Sequence, residues 1–346
     1  MRYKATIKDV AKLADVSVAT VSYVLNNNPN KKISAKTKNR VFEAAKQLNY
    51  ISNSAAKTLQ SSRTNCIGVV VYQSLTLPRH AQVLQGMIDA LREKSYSILH
   101  CSSKIMENGY PEYLGAFFSH KIDGIVYLGA DASALDPEVE NIVVGQRIPF
   151  VVSDCETNRN ISSVVIDYFK GAYDMTNFLV EKKGVKKIFY VRPSIDNRQE
   201  REREQGVRRA AFEFPDVQVE TIVIEYDFKR KYGDFTGCYI PQLRTRAEDL
   251  DDKSALICSW SGMDQPTLQV LKDINLDIPV ATLAQGELSA DLFSNLFYSY
   301  LPNLVIGKTC AESILRLLED ESDIRHEIVQ PSLTPIINRT APHYYL

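Results

Sequence analysis

The chain has 346 residues with 45% hydrophobic and 24% charged residues, the composition of a soluble globular protein of about two or three domains. Its longest apolar run, "IGVVVY" at 67–72, is far too short for a membrane span, and the N-terminal stretch lacks the apolar segment of a secretory signal. The net charge of −1 hides a split: residues 1–65 carry twelve Lys/Arg against three Asp/Glu, a net +9, which leaves −10 for the rest. A basic head on an acidic body points to a polyanion-binding head, although a lysine-rich solvated face gives the same count. The six cysteines are scattered without a C-x-x-C pair, which predicts reduced thiols in a cytoplasm.

Thr6 and Asp9 have capping-box spacing ahead of Ile7, Val10, Ala11 and Ala14, which recur at helical intervals and predict a first helix. "DVS" interrupts it, and Ser17 is placed to cap a second helix. On that helix Val21, Val24 and Leu25 share one side. Ala19, Ser22, Tyr23 and Asn26 share the other, with Val18 at its N-terminal margin. "NNNPNKK" reads as a loop, and Ser34 can cap a third helix striped by Val41, Ala44, Ala45 and Leu48. Two short helices joined by a tight turn, with a third to complete a small core, predict a helix-turn-helix unit. Short outward side chains allow the second helix to enter a major groove, and Thr20, Ser22 and the nearby lysines suit phosphates. The expected DNA-facing set is Thr6, Ser17, Val18, Ala19, Thr20, Ser22, Tyr23 and Asn26.

Beyond residue 65, β-rich runs alternate with helical stretches. Strands are expected at 66–72, 97–101, 123–128, 149–154, 163–167, 187–191, 219–225, 255–259 and 279–283. Helices are expected at about 79–95, 110–119, 169–182, 202–213 and 263–273. The alternation predicts doubly wound α/β lobes with parallel sheets, and ligands in such folds bind at the carboxyl ends of strands. Tyr72, Gln73, Leu77 and Asp154 follow strands, and Phe228 is an aromatic that could stack on a sugar face. Arg79 and His80 open the first helix of the body and would favour an anionic ligand.

The segment from "ATIKDVAKLADVSVATVSYVLNNN" through "SNSAAKTLQSSRT" resembles the DNA-binding head and hinge of the lactose-repressor (LacI/GalR) family. The resemblance implies a dimeric transcriptional regulator, usually a repressor. The implied fold is α/β: an all-α helix-turn-helix head followed by two Rossmann-like lobes of periplasmic-binding-protein type. It implies a head at 1–52, a hinge helix and linker at 53–65, and an effector-binding and dimerisation core at 66–346. The first lobe would span about 66–165 plus a later crossover. The second would span about 166–293 plus a C-terminal segment. In the hinge, the resemblance makes Ala56 a helix-pairing residue, Lys57 a basic contact and Leu59 an apolar wedge in the minor groove. It makes Val18, Ala19 and Tyr23 the specificity positions.

The chain departs from the family pattern in places. Asp15 replaces the turn glycine, and Tyr23 replaces an arginine that reads guanine with two hydrogen bonds. "REQGVRRA" resembles R-x-x-G-F-x-x-A, which implies that Arg203 binds effector hydroxyls or carboxylate. Glu287 stands near the last Asp of "GFDD", and Trp260 with Ser261 replaces a common Asn-Asp pair.

No nucleophile-elbow, dinucleotide, P-loop or zincin motif occurs, and the five histidines lack metal-ligand spacing, so no enzyme and no cofactor are expected. Cys101, which follows a strand, could be a nucleophile in principle, but cysteine in such strands more often packs in the core. The expected protein is a cytoplasmic homodimer that binds a pseudo-palindromic operator and represses a carbohydrate-utilisation operon. A sugar or sugar phosphate in the inter-lobe cleft would switch it. Control by a phosphocarrier protein co-repressor is the alternative.

Overall fold

The structure is a computed structural model that describes residues 5–25, 32–50, 63–72, 75, 77–129, 134–225, 235–284 and 293–333. The head contains α1 (Ile7–Leu13), α2 (Val18–Leu25) and α3 (Ala35–Gln47). Val10, Val21, Val24 and Val41 meet Ala11, Ala14, Ala44 and Ala45 in one small buried core, with Ile7, Leu25 and Leu48 packed at its margin. The local signals act as expected. Asp9 accepts from the Thr6 backbone N–H at 2.8 Å, and Ser17 and Ser34 Oγ accept from the N–H groups of Thr20 and Thr37 at 3.1 and 3.2 Å.

The turn between α1 and α2 explains how aspartate replaces glycine. Asp15 sits at φ +49°, in the left-handed region. The N–H of Val16 returns to the Ala11 carbonyl at 3.1 Å, and that of Asp15 to Lys12 at 3.4 Å. This is the Schellman ending of a helix, whose left-handed position glycine fills most easily and Asp or Asn can also fill. Asn49 repeats the arrangement after α3 at φ +50°, with Tyr50 N–H on the Ala45 carbonyl at 2.8 Å.

The body is two six-stranded sheets. The first is built from β1 (Cys66–Val71), β2 (Ser97–Cys101), β3 (Gly124–Leu128), β4 (Phe150–Ser153), β5 (Ser162–Ile166) and β11 (His326–Val329), in the order β11-β5-β4-β3-β1-β2, all parallel. One face is covered by α4 (Pro78–Glu93) and α11 (Asn303–Glu319), the other by α5 (Glu112–Phe118) and α6 (Pro137–Gly145). The second sheet holds β6 (Lys187–Pro193), β7 (Gln218–Ile224), β8 (Ser254–Cys258), β9 (Val280–Thr282), β10 (Leu296–Tyr300) and β12 (Ser332–Leu333), in the order β12-β10-β9-β8-β6-β7. Only its edge strand β12 runs antiparallel. Its faces are covered by α7 (Tyr168–Lys183) with α8 (Arg198–Phe212), and by α9 (Phe235–Arg244) with α10 (Asp264–Asp273). Strands such as "GIVYL" and "SALIC" are buried along their whole length, as parallel strands covered on both faces must be.

The chain crosses between sheets three times: after β5, after β10 and after β11. The second lobe, expected to run contiguously to about 293, also takes β10 at 296–300, whereas 303–329 returns to the first. In the first lobe α11 lies against α4 at backbone contact. A Cβ placed on Gly307 would fall 1.9 Å from the Val83 carbonyl oxygen, and one on Gly86 would fall 2.1 Å from that of Leu304. The helix expected to begin near 202 begins at Arg198, because Asn197 Oδ1 accepts the Glu200 N–H at 2.8 Å and caps it one turn earlier. That extra turn carries Gln199 and Glu200 to the carboxyl edge of the sheets.

Candidate DNA interface and inter-lobe cleft

The α2 helix buries Val21 and Val24 and turns Val18, Ala19 and Tyr23 outward, with Thr20 and Ser22 half-buried beside them. Lys8, Lys12, Lys32, Lys36, Arg40 and Lys46 are exposed around the same three helices. Ser17 has a structural duty besides any DNA contact, since its hydroxyl caps α2 and shares a 2.9 Å hydrogen bond with Thr20. The Thr6 hydroxyl likewise donates to Asp9 at 2.7 Å. This gives a short helix with small outward side chains, flanked by cations, which is the shape and charge that a major groove accepts. Tyr23 presents an exposed phenol, a single hydroxyl where an arginine would offer a fork of donors. Asn26 and the hinge residues Ala56, Lys57 and Leu59 lie outside the described residues.

At the carboxyl edges of the two sheets a polar cluster joins the lobes. Asp154 follows β4 at φ +57°. Its carboxylate accepts from the hydroxyl of Tyr168, the first residue of α7, from Gln199 Nε2 of α8 at 3.4 Å, and from the Ile166 N–H at 3.5 Å. Burial pushes the Asp154 carboxyl above the usual carboxylate range. The Tyr168 hydroxyl and the charges of Arg198 and Arg79 oppose that rise without cancelling it. The Arg203 guanidinium lies over the Tyr168 ring, 4.5 Å from its centroid.

Arg203 is buried, 4% exposed, and its Nη1 donates to Glu200 Oε1 at 2.8 Å; the Glu200 side chain is 1% exposed. The same oxygen accepts the Trp260 indole N–H at 3.0 Å, and Glu200 Oε2 accepts the Tyr190 hydroxyl at 3.2 Å. Farther out, Arg201 of α8 reaches Glu156 of the first lobe at 2.7 Å and Asp196 at 2.7 Å, while Arg198 pairs with Glu202 at 2.6 Å.

The expected effector residues divide accordingly. Asp154, Arg203 and Trp260 belong to one connected cluster. Tyr72 and Leu77 stand exposed at the end of β1 and the start of α4. Gln73, Phe228 and Glu287 lie outside the described residues. His80 is buried at 3% exposure, which removes it as a solvent-facing anion contact, whereas Arg79 is close enough to act on Asp154. Tyr168, Gln199 and Glu200 were not anticipated.

The residues 6–53 match the family model of bacterial regulatory proteins, lacI family. This places the match on the three-helix head and the start of the segment after it. The chain is 28% identical to the HTH-type transcriptional repressor PurR of Aliivibrio salmonicida, across 92% of this chain and 93% of that one. It is 36% identical to catabolite control protein A of Staphylococcus epidermidis across 51% of this chain and 52% of that one. Its fold superposes on the lac repressor dimer bound to operator and an anti-inducer with a TM-score of 0.75, covering 96% of this chain and 98% of that one at 19% identity.

The relatives are regulators, and burial pushes the Cys101 thiol up to about 11, far from a reactive thiolate. All six cysteines carry free thiols, and among the described residues no group of three or more His, Cys, Asp or Glu could hold a metal ion. Among those residues no helix is long and apolar enough to cross a membrane.

Proposed function

We propose that this LacI-family transcriptional regulator acts in the cytoplasm as a homodimer on a pseudo-palindromic operator. It represses a carbohydrate-utilisation operon, and a sugar or sugar phosphate in the inter-lobe cleft switches its operator affinity. The observation that carries this reading is the connected cluster Asp154–Tyr168–Arg203–Glu200–Trp260, which draws on both lobes at the carboxyl ends of their strands. A ligand seated there touches elements of both sheets, so it changes how the lobes sit on each other. In this reading Tyr72, Gln73, Leu77, Phe228 and Glu287 complete the ligand's surroundings.

The DNA contacts divide by chemistry. Val18, Ala19 and Tyr23 meet base edges; Thr6, Ser17, Thr20, Ser22 and Asn26 meet phosphates or position the helix. Ala56, Lys57 and Leu59 form a hinge that pairs across the dimer, with Leu59 opening the minor groove at a central flexible step. Lobe motion sets whether that hinge forms, and thereby operator affinity.

The test is selection of binding sites from random duplex DNA with the full-length protein, followed by release assays on the selected site with a panel of sugars and sugar phosphates. A palindrome released by one of them supports the reading. Absence of any enriched sequence at moderate salt overturns it. The similarity to catabolite control protein A favours a second reading, in which a phosphocarrier protein acts as co-repressor. In that case operator affinity rises with the added protein and no free sugar changes it.

A further inference from the structure

The first turns of α8 read "RQEREREQ", and each of the three arginines there is matched by a carboxylate. Arg198 pairs with Glu202, Arg201 with Glu156 and Asp196, and Arg203 with Glu200. The last pair differs in kind from the others. Both its members are buried, and the carboxylate is held by two further donors, the Trp260 indole and the Tyr190 hydroxyl. Glu200 is also fixed through its backbone by the Asn197 cap. A carboxylate with this many charge-assisted and neutral hydrogen bonds cannot swing away to let another anion take its place on the guanidinium.

We infer that Glu200 sets the charge class of the cleft ligand: by neutralising Arg203 from within the protein, it makes the cleft accept uncharged polyhydroxy ligands and reject anions such as phosphates and carboxylates. The inference rests on the reading of the inter-lobe cleft as the effector site. An anion brought to Arg203 would face the Glu200 carboxylate at close range in a buried setting, where like charges repel far more strongly than in water. Asp154, bound to the Tyr168 hydroxyl, brings a second carboxyl to the same cluster. A hydroxyl brings no net charge and is spared this repulsion. Glu200 thus acts through Arg203, as a positioning and specificity residue.

The chain's only tryptophan is Trp260, whose indole donates to Glu200, so intrinsic fluorescence reports on this site directly. The experiment titrates the full-length protein with inorganic phosphate. Wild type is expected to give no saturable change up to about 10 mM phosphate. Glu200→Gln leaves a buried guanidinium without its counter-ion and is expected to gain a saturable response, at least about tenfold tighter than wild type. Adding Arg203→Gln to that variant is expected to abolish the gain. A purely structural role for Glu200 would lower thermal stability without creating an anion response.

The inference is overturned if wild type responds saturably to phosphate and Arg203→Gln removes that response. It is equally overturned if folded Glu200→Gln is indifferent to phosphate. Should Glu200→Gln fail to fold, the wild-type titration carries the test by itself: a saturable phosphate response that Arg203→Gln removes overturns the inference, and no saturable response supports it. Operator release plays no part in this measurement. A cleft that answers no sugar would therefore remove the effector reading while leaving the phosphate result to be judged on its own.

Discussion

Asp123 takes Thr64 onto a single carboxylate oxygen: its Oδ1 accepts both the backbone N–H at 2.7 Å and the hydroxyl at 2.8 Å, and Oδ2 accepts the next N–H, from Asn65, at 2.8 Å. Nearby, Arg63 Nη2 donates to the Leu318 carbonyl at the end of α11 at 2.7 Å. The chain leaving the head is thus tied to the first lobe just before β1 begins. Asp123→Ala strips three hydrogen bonds to a charged acceptor and is expected to cost about 1–3 kcal/mol of core stability by denaturant melting. Specific operator affinity is expected to fall as well, since the hinge loses its fixed footing. Unchanged affinity on the selected operator would show that the tie serves the core alone.

Gly307→Ala is expected to destabilise the first lobe by about 1–3 kcal/mol, because the added methyl would meet the Val83 carbonyl and force α4 and α11 apart. A surface glycine with open space around its missing Cβ, such as Gly145, serves as the comparison; Gly145→Ala should stay within about 0.5 kcal/mol of wild type or gain slightly. Thermal melts of the two variants decide the point.

Tyr23→Arg is expected to move the preferred base at the position beneath it toward guanine, by about 1–3 kcal/mol of discrimination, as read by repeating the binding-site selection. Neighbouring positions should hold their preferences. Binding by either form should weaken roughly 10³-fold or more between about 50 and 200 mM salt if about six phosphates are contacted. A flat salt profile would contradict a phosphate-anchored head.

Asp154 makes the stability of the body depend on pH in a direction opposite to that of most carboxylates. Its pKa is raised in the folded state, chiefly by burial, so the folded protein holds this proton more tightly than the unfolded chain. The stability gained from that proton is fully present below the ordinary carboxylate pKa of about 4 and is lost as pH rises through the folded value. Asp154→Asn cannot ionise and keeps an oxygen for the Tyr168 hydroxyl. Its melting temperature relative to wild type should therefore rise from acid toward neutral pH, and a constant difference across that range would refute the assignment.

Much of this architecture is legible in the residue order, and the exceptions have physical causes. Buried parallel strands announce themselves as unbroken apolar runs, as in "CIGVVV", and the head announces itself through caps and short stripes. The start of α8 is hidden, because "RQERERE" looks like a solvated face, yet Glu200 and Arg203 are buried as a matched pair. Composition registers their charges without showing that the two cancel. The i, i+3 spacing of Glu200 and Arg203 was the available signal. Tyr168 escapes notice for a different reason: its role depends on the crossover that follows β5, a relation between lobes that no local pattern contains. β10 is similarly obscured, since "LFYSY" buries a serine and a tyrosine where an apolar run would be read.

The threefold crossing of the chain also has a consequence for biosynthesis. The first sheet starts at residue 66, but its edge strand β11 and the helix α11 that covers one face arrive only with residues 303–329. Five strands of the second sheet are available by residue 300, and it then lacks only the two-residue β12. On a chain emerging from the ribosome N-terminus first, the lobe begun earlier receives its edge strand and one covering helix only after five strands of the other lobe have been made. Until α11 is delivered, the apolar face of α4 and the β1–β5 strands beneath it stand open, which makes the nascent first lobe the segment most in need of protection during translation.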